Sequence, residues 1–289
     1  MPKFRHVAAT VLAAGVFFLC SLDLLRQDLT SDVELLYIRR YALMSYLSMT
    51  GIEGISQSKY FVQGAQRLAK SWMRHVPVEG RGEYDMVLLV ADPYSLLNAG
   101  SMALLREVGW ILIKVDPVYG TPSAPSYLAQ NRYTHTAQFT KLRMWTFERY
   151  EHILYIDSDM LVVRNILPTI STYQNATSKM LGVAVYRNPH EFNAGVLFIT
   201  PSMAEFEEMS KVILTLTYDL LFQEQAFLQV YWHWTNRTFW MPAEMNQEVH
   251  ELTEQCMVMH FVGNFKPWAI CPPVEPMYEK ACREWDSYQ

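Results

Sequence analysis

The chain has 289 residues, of which 51% are hydrophobic and 18% are charged, and its formal net charge is −5. So much apolar side chain excludes an intrinsically disordered protein, because its burial offsets the entropy that is lost on folding. The acidic balance, with no block of basic residues longer than Arg39-Arg40, argues against a protein that binds nucleic acid through a basic face.

The first patterned segment is an apolar run from Val7 to Leu22, preceded by Lys3 and Arg5. A basic flank before an apolar run is typical of a secretory signal or a signal anchor. Small residues are missing at the positions where a signal would be cleaved, so we expect an uncleaved transmembrane helix over residues 7–25. A buried helix of the folded domain is the alternative interpretation.

The basic flank predicts a cytosolic tail over residues 1–6 and a lumenal body, as in a single-pass type II membrane protein. The apolar run spans roughly 24 Å as a helix, which favours the thin membranes of the Golgi or another early secretory compartment. Two N-glycosylation sequons, Asn175-Ala176-Thr177 and Asn236-Arg237-Thr238, agree with a lumenal body. Residues 26–40 are predicted to form a short stem.

The rest of the chain alternates between strand-like and helix-like patterns. Continuous apolar runs predict strands buried on both faces, and apolar residues at helical spacing predict helices between them. The predicted strands are Tyr41–Met49, Met86–Val90, Trp110–Val115, Ile153–Ile156, Leu181–Tyr186, Gly195–Thr200 and Met257–Phe261. The predicted helices are Ser58–His75, Tyr94–Val108 and Thr136–Tyr150, with two more that begin at Ser202 and Glu224. This alternation predicts one open α/β domain over residues 41–270.

The C-terminal residues 271–289 are predicted to be a tail that contains prolines and cysteines. Cys271 and Cys282 both lie in it, so we expect them to form a disulfide bond. Cys256 precedes an apolar run and is predicted to be a buried free thiol.

The most informative polar residues are Asp157 and Asp159, which directly follow the predicted strand Ile153–Ile156. Ligands of open α/β sheets bind at the carboxyl ends of strands. Residues i and i+2 of an extended chain point the same way, so the two carboxylates can face one hard cation such as Mn²⁺ or Mg²⁺. A solvated turn is the alternative for this Asp-x-Asp triplet.

A second group of candidates follows the last predicted strand. His260 is a possible third metal ligand, Gly263 allows backbone to approach a phosphate closely, and Lys266 offers it a positive charge. Taken singly, His260 is as well explained as a core histidine and Lys266 as a surface lysine.

Two further polar positions lie between these groups. Asn193 leads into a predicted strand and can bind sugar hydroxyls or simply satisfy turn backbone. Glu224 is a possible base, nucleophile or electrostatic stabiliser, or a first-turn glutamate favoured by the helix dipole. From the residues alone we infer a metal-dependent enzyme that acts on a phosphorylated substrate.

Five motifs in this order resemble glycosyltransferase family 8, and the glycogenin-like branch most of all. They are Phe139–Leu142, Asp157-Ser158-Asp159, Phe192-Asn193-Ala194-Gly195, Glu224-Gln225 and the segment His260–Trp268. The resemblance covers about residues 41–268. It implies a GT-A type Rossmann-like α/β domain with a mixed, mostly parallel sheet, a UDP-sugar donor, Mn²⁺ (with Mg²⁺ as the alternative ion) and transfer with retention of anomeric configuration.

The resemblance also implies a role for each matching residue. Asp157, Asp159 and His260 match the metal ligands, and Gly263 and Lys266 match the diphosphate contacts. The remaining expected donor-site residues are Arg132, Lys141, Ser158 and Phe61. Asn193, Gln225 and Glu224 are the expected catalytic residues near the transferred sugar. Glu224 departs from the family's usual aspartate, and Phe61 stands where a tyrosine usually stacks on the nucleotide.

The acceptor implied by the family is a glycan, a glycolipid or a protein. Two other functions are considered. One is a transferase fold kept as an inactive binding module, which the intact ligand set argues against. The other is a phosphohydrolase built on the Asp-x-Asp triplet, which is disfavoured because the chain has no Asp-Asp, Asp-Glu or Glu-Asp dipeptide to bind Mg²⁺.

Overall fold

The computed structural model describes residues 39–48, 52–91, 97–120, 136–174, 181–185, 191–219, 222–234, 237–263, 265–271 and 278–289. The predicted cytosolic tail, the anchor over 7–25, nearly all of the stem, Arg132 and the asparagines of both sequons lie outside these residues. Among the helices that the structure does describe, none combines the length and the apolar composition needed to cross a membrane.

The described residues form strands of two sheets. In chain order the strands are β1 Tyr41–Ser48, β2 Tyr84–Ala91, β3 Ile111–Lys114, β4 His152–Ile156, β5 Met160–Val162, β6 Leu181–Val185, β7 Phe192–Ile199, β8 Thr238–Met241, β9 Gln247–Glu248 and β10 Val258–His260. The larger sheet has seven strands in the order β3-β2-β1-β4-β7-β6-β8, and the smaller has three in the order β5-β10-β9.

The larger sheet is mixed but mostly parallel, as the sequence predicts. Strand β1 pairs in parallel with β2 and β4, β2 with β3, and β6 with β8, whereas β7 runs antiparallel to β4 and β6. In the smaller sheet β10 is antiparallel to β5 and parallel to β9. The result is the predicted Rossmann-like α/β fold with a small accessory sheet.

Helices cover the strands. The α-helices are α1 Ile52–His75, α2 Val78–Arg81, α3 Ala99–Glu107, α4 Leu167–Ser171, α5 Met203–Val212, α6 Gln223–Trp234, α7 Pro267–Ile270 and α8 Glu279–Asp286. Two 3₁₀ helices span Thr136–Thr146 and Ala243–Asn246.

The alternating side chains of β1 show that both faces of the large sheet are buried. Tyr41, Leu43 and Leu47 belong to an apolar cluster that contains residues of α1 and α3. Ala42 and Met44 belong to a second cluster, which contains residues of the 3₁₀ helix Thr136–Thr146, α5 and α6. This burial on two sides explains why the central strands read as continuous apolar runs.

Several predicted boundaries need correction. The segment predicted as a helix over Thr136–Tyr150 is a 3₁₀ helix that ends at Thr146. Buried side chains follow one another almost without interruption from Phe139 to Trp145, so the burial pattern by itself does not distinguish the 3₁₀ repeat from the α-helical one. Helix α1 begins six residues before the predicted Ser58, and β7 begins at Phe192 rather than Gly195.

The short strands β5, β8 and β9 were not predicted, because two to four residues carry no detectable periodicity. Helix α8, within the predicted C-terminal tail, was not predicted either. This helix buries Ala281, Cys282 and Trp285 in a third apolar cluster with residues of the small sheet. The predicted disulfide Cys271–Cys282 is present, and Cys256 is a buried free thiol among the described cysteines.

Candidate active site

The predicted metal ligands meet where the two sheets adjoin. Asp157 and Asp159 lie in the turn between β4 and β5, and His260 ends β10, opposite Met160 of β5. Two main-chain hydrogen bonds hold this turn, from Asp157 N to Gly195 O (2.8 Å) and from Phe261 N to Asp159 O (3.1 Å). One ligand atom of each of the three side chains lies within 4.8 Å of the others.

The atoms of this group have the chemistry of a cation site. Asp159 Oδ1 is buried and, among the residues that the structure describes, has no hydrogen-bond partner. It lies 3.7 Å from His260 Nε2. A buried acceptor without a donor is costly, and a divalent cation is the kind of group that satisfies it together with carboxylate and imidazole ligands. The residues present therefore fit a metal ion.

Lys266 compensates part of the negative charge of Asp159. Its Nζ contacts Asp159 Oδ2 and donates to the main-chain oxygen of Phe261 at 2.9 Å. Burial alone would raise the pKa of Asp159, but the charge and hydrogen bond of Lys266, together with the charges of His260 and Lys141, outweigh it and the pKa is lowered. Burial lowers the pKa of His260, and the Asp159 charge offsets this only in part. The site thus holds an ionised Asp159 beside a neutral His260.

A second lysine, Lys141, lies between the carboxylates of Asp157 and Glu224. Its buried Nζ lies 3.0 Å from Asp157 Oδ1 and 2.8 Å from Glu224 Oε1, and its ammonium faces the Tyr155 ring. Burial alone would lower the pKa of Lys141, but the two carboxylates raise it. Tyr155 donates to Asp157 Oδ1, and burial, then the Asp157 charge, raise the pKa of its hydroxyl. Lys141 therefore stays charged and fixes both carboxylates.

The two predicted sugar-binding amides are oriented by main-chain groups. Asn193 Oδ1 accepts from Gly195 N at 2.8 Å, and Gln225 Oε1 accepts from Ala194 N at 3.1 Å. Each oxygen thus already accepts one main-chain hydrogen bond, whereas each NH₂ group has its hydrogens available for a ligand. Within the described part of the chain, neither NH₂ group donates a hydrogen bond.

The remaining candidates differ in their placement. Ser158 is buried between the two aspartates, and its main-chain oxygen lies against Gly64 of α1. Gly263 is exposed, has a φ of 56° and has no atom near its missing Cβ, so its backbone is open to a ligand. Phe61 packs edge-on against Trp268, with ring centroids 5.3 Å apart. Arg132 lies outside the described residues.

Three residues around the cluster were not identified from the sequence. Tyr155 lies two residues before Asp157 on the same strand, so the alternation of strand side chains was an available signal. Gly64 is a glycine inside a helix, which is a weak signal for close packing. Asn246 lies in a 3₁₀ turn with no motif around it, and its Oδ1 is 2.9 Å from His260 Nδ1.

Comparisons with known proteins agree with this geometry. The chain is 26% identical over 251 residues to the putative UDP-glucuronate:xylan alpha-glucuronosyltransferase 5 of Arabidopsis thaliana, covering 84% of this chain and 39% of that protein. It is 23% identical over 216 residues to galactinol synthase 5 of the same plant, covering 60% of this chain and 62% of that protein. The chain thus spans about two fifths of the length of the first relative.

Among solved structures, the galactosyltransferase LgtC in complex with donor and acceptor sugar analogues superimposes with a TM-score of 0.54 at 14% identity, covering 86% of this chain and 94% of that one. This likeness confirms the GT-A type fold. The sequence profile described as "Glycosyl transferase family 8" matches residues 111–270, which is more than half of the chain. The resemblance seen in the motifs is confirmed, and this protein belongs to glycosyl transferase family 8.

Proposed function

We propose that this protein is a retaining glycosyltransferase that moves a hexose-type sugar from a UDP-sugar to an acceptor hydroxyl in the secretory pathway and depends on Mn²⁺. The observation that carries the proposal is the group formed by half-buried Asp157 with buried Asp159 and His260, whose ligand atoms lie within 4.8 Å of one another near the end of β4. Family membership supports the reaction type. The name of one relative, a putative UDP-glucuronate:xylan alpha-glucuronosyltransferase, supports a UDP-sugar donor.

Asp157, Asp159 and His260 would hold the metal. Carboxylates and an imidazole together suit Mn²⁺ better than Mg²⁺, which prefers oxygen ligands alone. The ion would neutralise charge on the diphosphate of the donor. In this proposal the unpartnered Asp159 Oδ1 and the nearby His260 Nε2, 3.7 Å apart, are the atoms that would contact the ion.

Gly263 and Lys266 would bind the diphosphate. The open backbone at Gly263 gives a phosphate room to approach, and Lys266 already lies at the edge of the metal group through its contact with Asp159. A positive charge held there stabilises the charge that develops on the leaving phosphate. Arg132 and Ser158 remain expected donor contacts.

Asn193 and Gln225 would bind the transferred sugar through their NH₂ groups, because main-chain donors to their oxygens fix the orientation of both amides. Glu224 is held by Lys141 at 2.8 Å, so its carboxylate lies within one network with Asp157. In this proposal the ion pair of Lys141 and Glu224 keeps a fixed charge next to the sugar. Phe61, with its ring against Trp268, is the proposed neighbour of the nucleobase.

The cellular placement is part of the same proposal. We propose a type II arrangement in the Golgi or another early secretory membrane, with a cytosolic tail (1–6), an anchor (7–25), a stem (26–40), a lumenal transferase domain (41–270) and a C-terminal segment (271–289). The disulfide Cys271–Cys282 supports an oxidising compartment.

Treatment of the expressed protein with an endoglycosidase tests this proposed lumenal placement. We expect the enzyme to shift the electrophoretic mobility of the protein. An unglycosylated body that added protease can reach would contradict the placement.

The catalytic proposal is tested by thermal unfolding of the full chain with Mn²⁺ and a panel of UDP-glucuronate, UDP-galactose, UDP-glucose, UDP-N-acetylglucosamine and a GDP-sugar. We expect a rise in Tm that requires the metal and is largest for one UDP-sugar, since a ligand that binds only the folded state stabilises it. Asp159→Ala should abolish the rise, while Glu107→Gln, an exposed carboxylate at the end of α3, should keep it.

Donor hydrolysis and transfer to an acceptor separate an enzyme from an inactive binding module. A metal-dependent Tm shift without hydrolysis or transfer of any donor in the panel favours the binding module. A chain that shows no shift with any nucleotide contradicts the proposed donor site altogether.

A further inference from the structure

A buried asparagine outside the predicted motifs connects two parts of the site. Asn246, only 6% exposed, ends the 3₁₀ turn Ala243–Asn246. Its Oδ1 lies 2.9 Å from His260 Nδ1. Its Nδ2 lies 3.1 Å from Asn193 Oδ1 and 3.3 Å from the main-chain oxygen of Asn193. One side chain thus contacts the proposed metal ligand and the proposed sugar-binding amide at once.

The orientation of the Asn246 amide follows from its neighbours. A main-chain carbonyl oxygen can only accept a hydrogen bond, so the atom of Asn246 that faces Asn193 O must be the donor Nδ2. The oxygen Oδ1 is then the atom that faces His260. The assignment rests on the chemistry of the backbone rather than on the similar shapes of an amide oxygen and nitrogen.

The amide in turn fixes the proton on His260. Since Asn246 Oδ1 can only accept, His260 Nδ1 must carry the hydrogen. A neutral imidazole with its proton on Nδ1 has a free lone pair on Nε2. Nε2 is the nitrogen that lies 3.7 Å from the unpartnered Asp159 Oδ1, so both atoms present lone pairs to the space between them.

The same chain of hydrogen bonds also fixes the orientation of the Asn193 side chain. Its Oδ1 accepts from Asn246 Nδ2 and from Gly195 N, which leaves only its NH₂ group for a ligand. A Cβ on Gly195 would crowd both Asn193 Oδ1 and His260 Cε1, at 2.8 Å and 3.0 Å. Asn193, Gly195 and His260 are therefore packed so closely that a shift of one of them displaces the other two.

We propose that Asn246 is a positioning residue that sets the tautomer of His260 and the direction of the Asn193 amide through one buried hydrogen-bond chain. The metal and sugar roles of the two outer residues rest on the proposed function. The chain of hydrogen bonds itself is present in the protein without ligands. It makes metal binding and donor-sugar binding depend on the same side chain.

The first test is the tautomer of His260 in the full, metal-free chain. Two-dimensional ¹H–¹⁵N spectra of histidine-labelled protein distinguish a protonated Nδ1 from a protonated Nε2, and the missing signals of His260→Gln assign the residue. We expect Nδ1 to carry the proton in the unsubstituted protein and Asn246→Ala to show a mixture of tautomers. A proton on Nε2 in the unsubstituted protein overturns the proposal.

The second test is the affinity for Mn²⁺, measured by electron paramagnetic resonance of the free ion. Groups that orient a metal ligand typically contribute 10–100-fold to affinity, so we expect a loss of about that size in Asn246→Ala. The matched control is Asn98→Ala, which removes an asparagine that accepts from Ser101 N at 2.8 Å and caps α3. Unchanged affinity in a folded Asn246→Ala protein overturns the proposal.

A third variant distinguishes loss of the individual Asn246 contacts from general misfolding. Asn246→Asp keeps an acceptor for His260 Nδ1 but loses the donor to Asn193. We expect it to retain Mn²⁺ binding and to lose at least about tenfold in affinity for the UDP-sugar. Equal loss of both affinities contradicts the separate contacts that we assign. If the unsubstituted chain binds no Mn²⁺, the proposed function fails, and the tautomer spectrum alone decides the role of Asn246.

Discussion

Gly64 of α1 lies directly against the main-chain oxygen of Ser158, the residue between the two aspartates of the metal group. A Cβ at this position would overlap that oxygen and crowd the Ser158 carbonyl carbon, and it would also lie 3.8 Å from the Trp285 ring of α8. The turn that carries Asp157 and Asp159 is therefore supported from behind by a helix that can approach it only because residue 64 has no side chain.

Gly64→Ala should displace this turn. Alanine favours a helix over glycine by about 1 kcal/mol, but overpacking against fixed backbone costs about 1–3 kcal/mol. We expect a net loss of stability in urea denaturation and weaker Mn²⁺ binding. The control is Gln63→Ala, an exposed neighbour on the same helix, which should leave both unchanged. A Gly64→Ala protein with full Mn²⁺ affinity would show that the turn does not depend on this contact.

Lys141→Met should destabilise the fold because it leaves Asp157 and Glu224 close together without their shared cation. Removing one partner of a buried ion pair costs about 3 kcal/mol. We expect the double variant Lys141→Met with Glu224→Gln to recover part of this loss in urea denaturation, since one uncompensated charge is removed. Lys114→Met, at an exposed position of β3, is the matched control. Additive losses in the double variant would contradict a direct coupling.

His152 gives the fold a defined pH dependence. It is buried in β4, where Nε2 lies 2.9 Å from Gln174 O and the ring packs near Phe198. Burial lowers the pKa of His152, and the hydrogen bond to Gln174 offsets this only partly. Between the folded pKa and the unfolded value of about 6.5, the unfolded chain binds more protons, so stability falls as pH falls.

His152→Gln, which can still donate to Gln174 O, should flatten this dependence. The measurement is the free energy of unfolding at pH 7.5 and pH 5.5 in both proteins. We expect the free energy of unfolding to decrease less in the variant. Part of the pH dependence should remain, because burial also lowers the pKa values of His75 and His260. An equal decrease in both proteins would assign the pH dependence to other groups.

The disulfide Cys271–Cys282 should stabilise the packing of α8. It closes a segment with a sequence separation of 11, for which the chain-entropy relation gives about 3 kcal/mol. Replacing both cysteines by alanine should lower the free energy of unfolding by about this amount and make it insensitive to reductant. Burial raises the pKa of Cys256 to about 12, so this thiol should remain unreacted in the native protein. Peptide mapping that finds Cys256 in a disulfide would contradict the pairing.

The sequence by itself determined where the central buried strands lie and which polar residues follow them. Continuous apolar runs are a local signal of strands buried on both faces, and Asp157 and Asp159 follow one of them directly. Phe139, Leu142 and Trp145 predicted a helix over Thr136–Tyr150, but their local spacing did not show that the segment is a 3₁₀ helix that ends at Thr146. The ordered motifs identified the family, since each motif is short and contiguous in the chain.

Only the tertiary structure decided how these residues depend on one another. Lys141 reaches Glu224 across 83 residues of chain, and Lys266 reaches Asp159 across 107. Asn246 and Gly64 carry no motif, and they matter because folding places one against His260 and the other against Ser158. Hydrogen bonds and close packing act over a few ångströms in space, so residues far apart in sequence acquire these roles only when the sheets and helices bring them together.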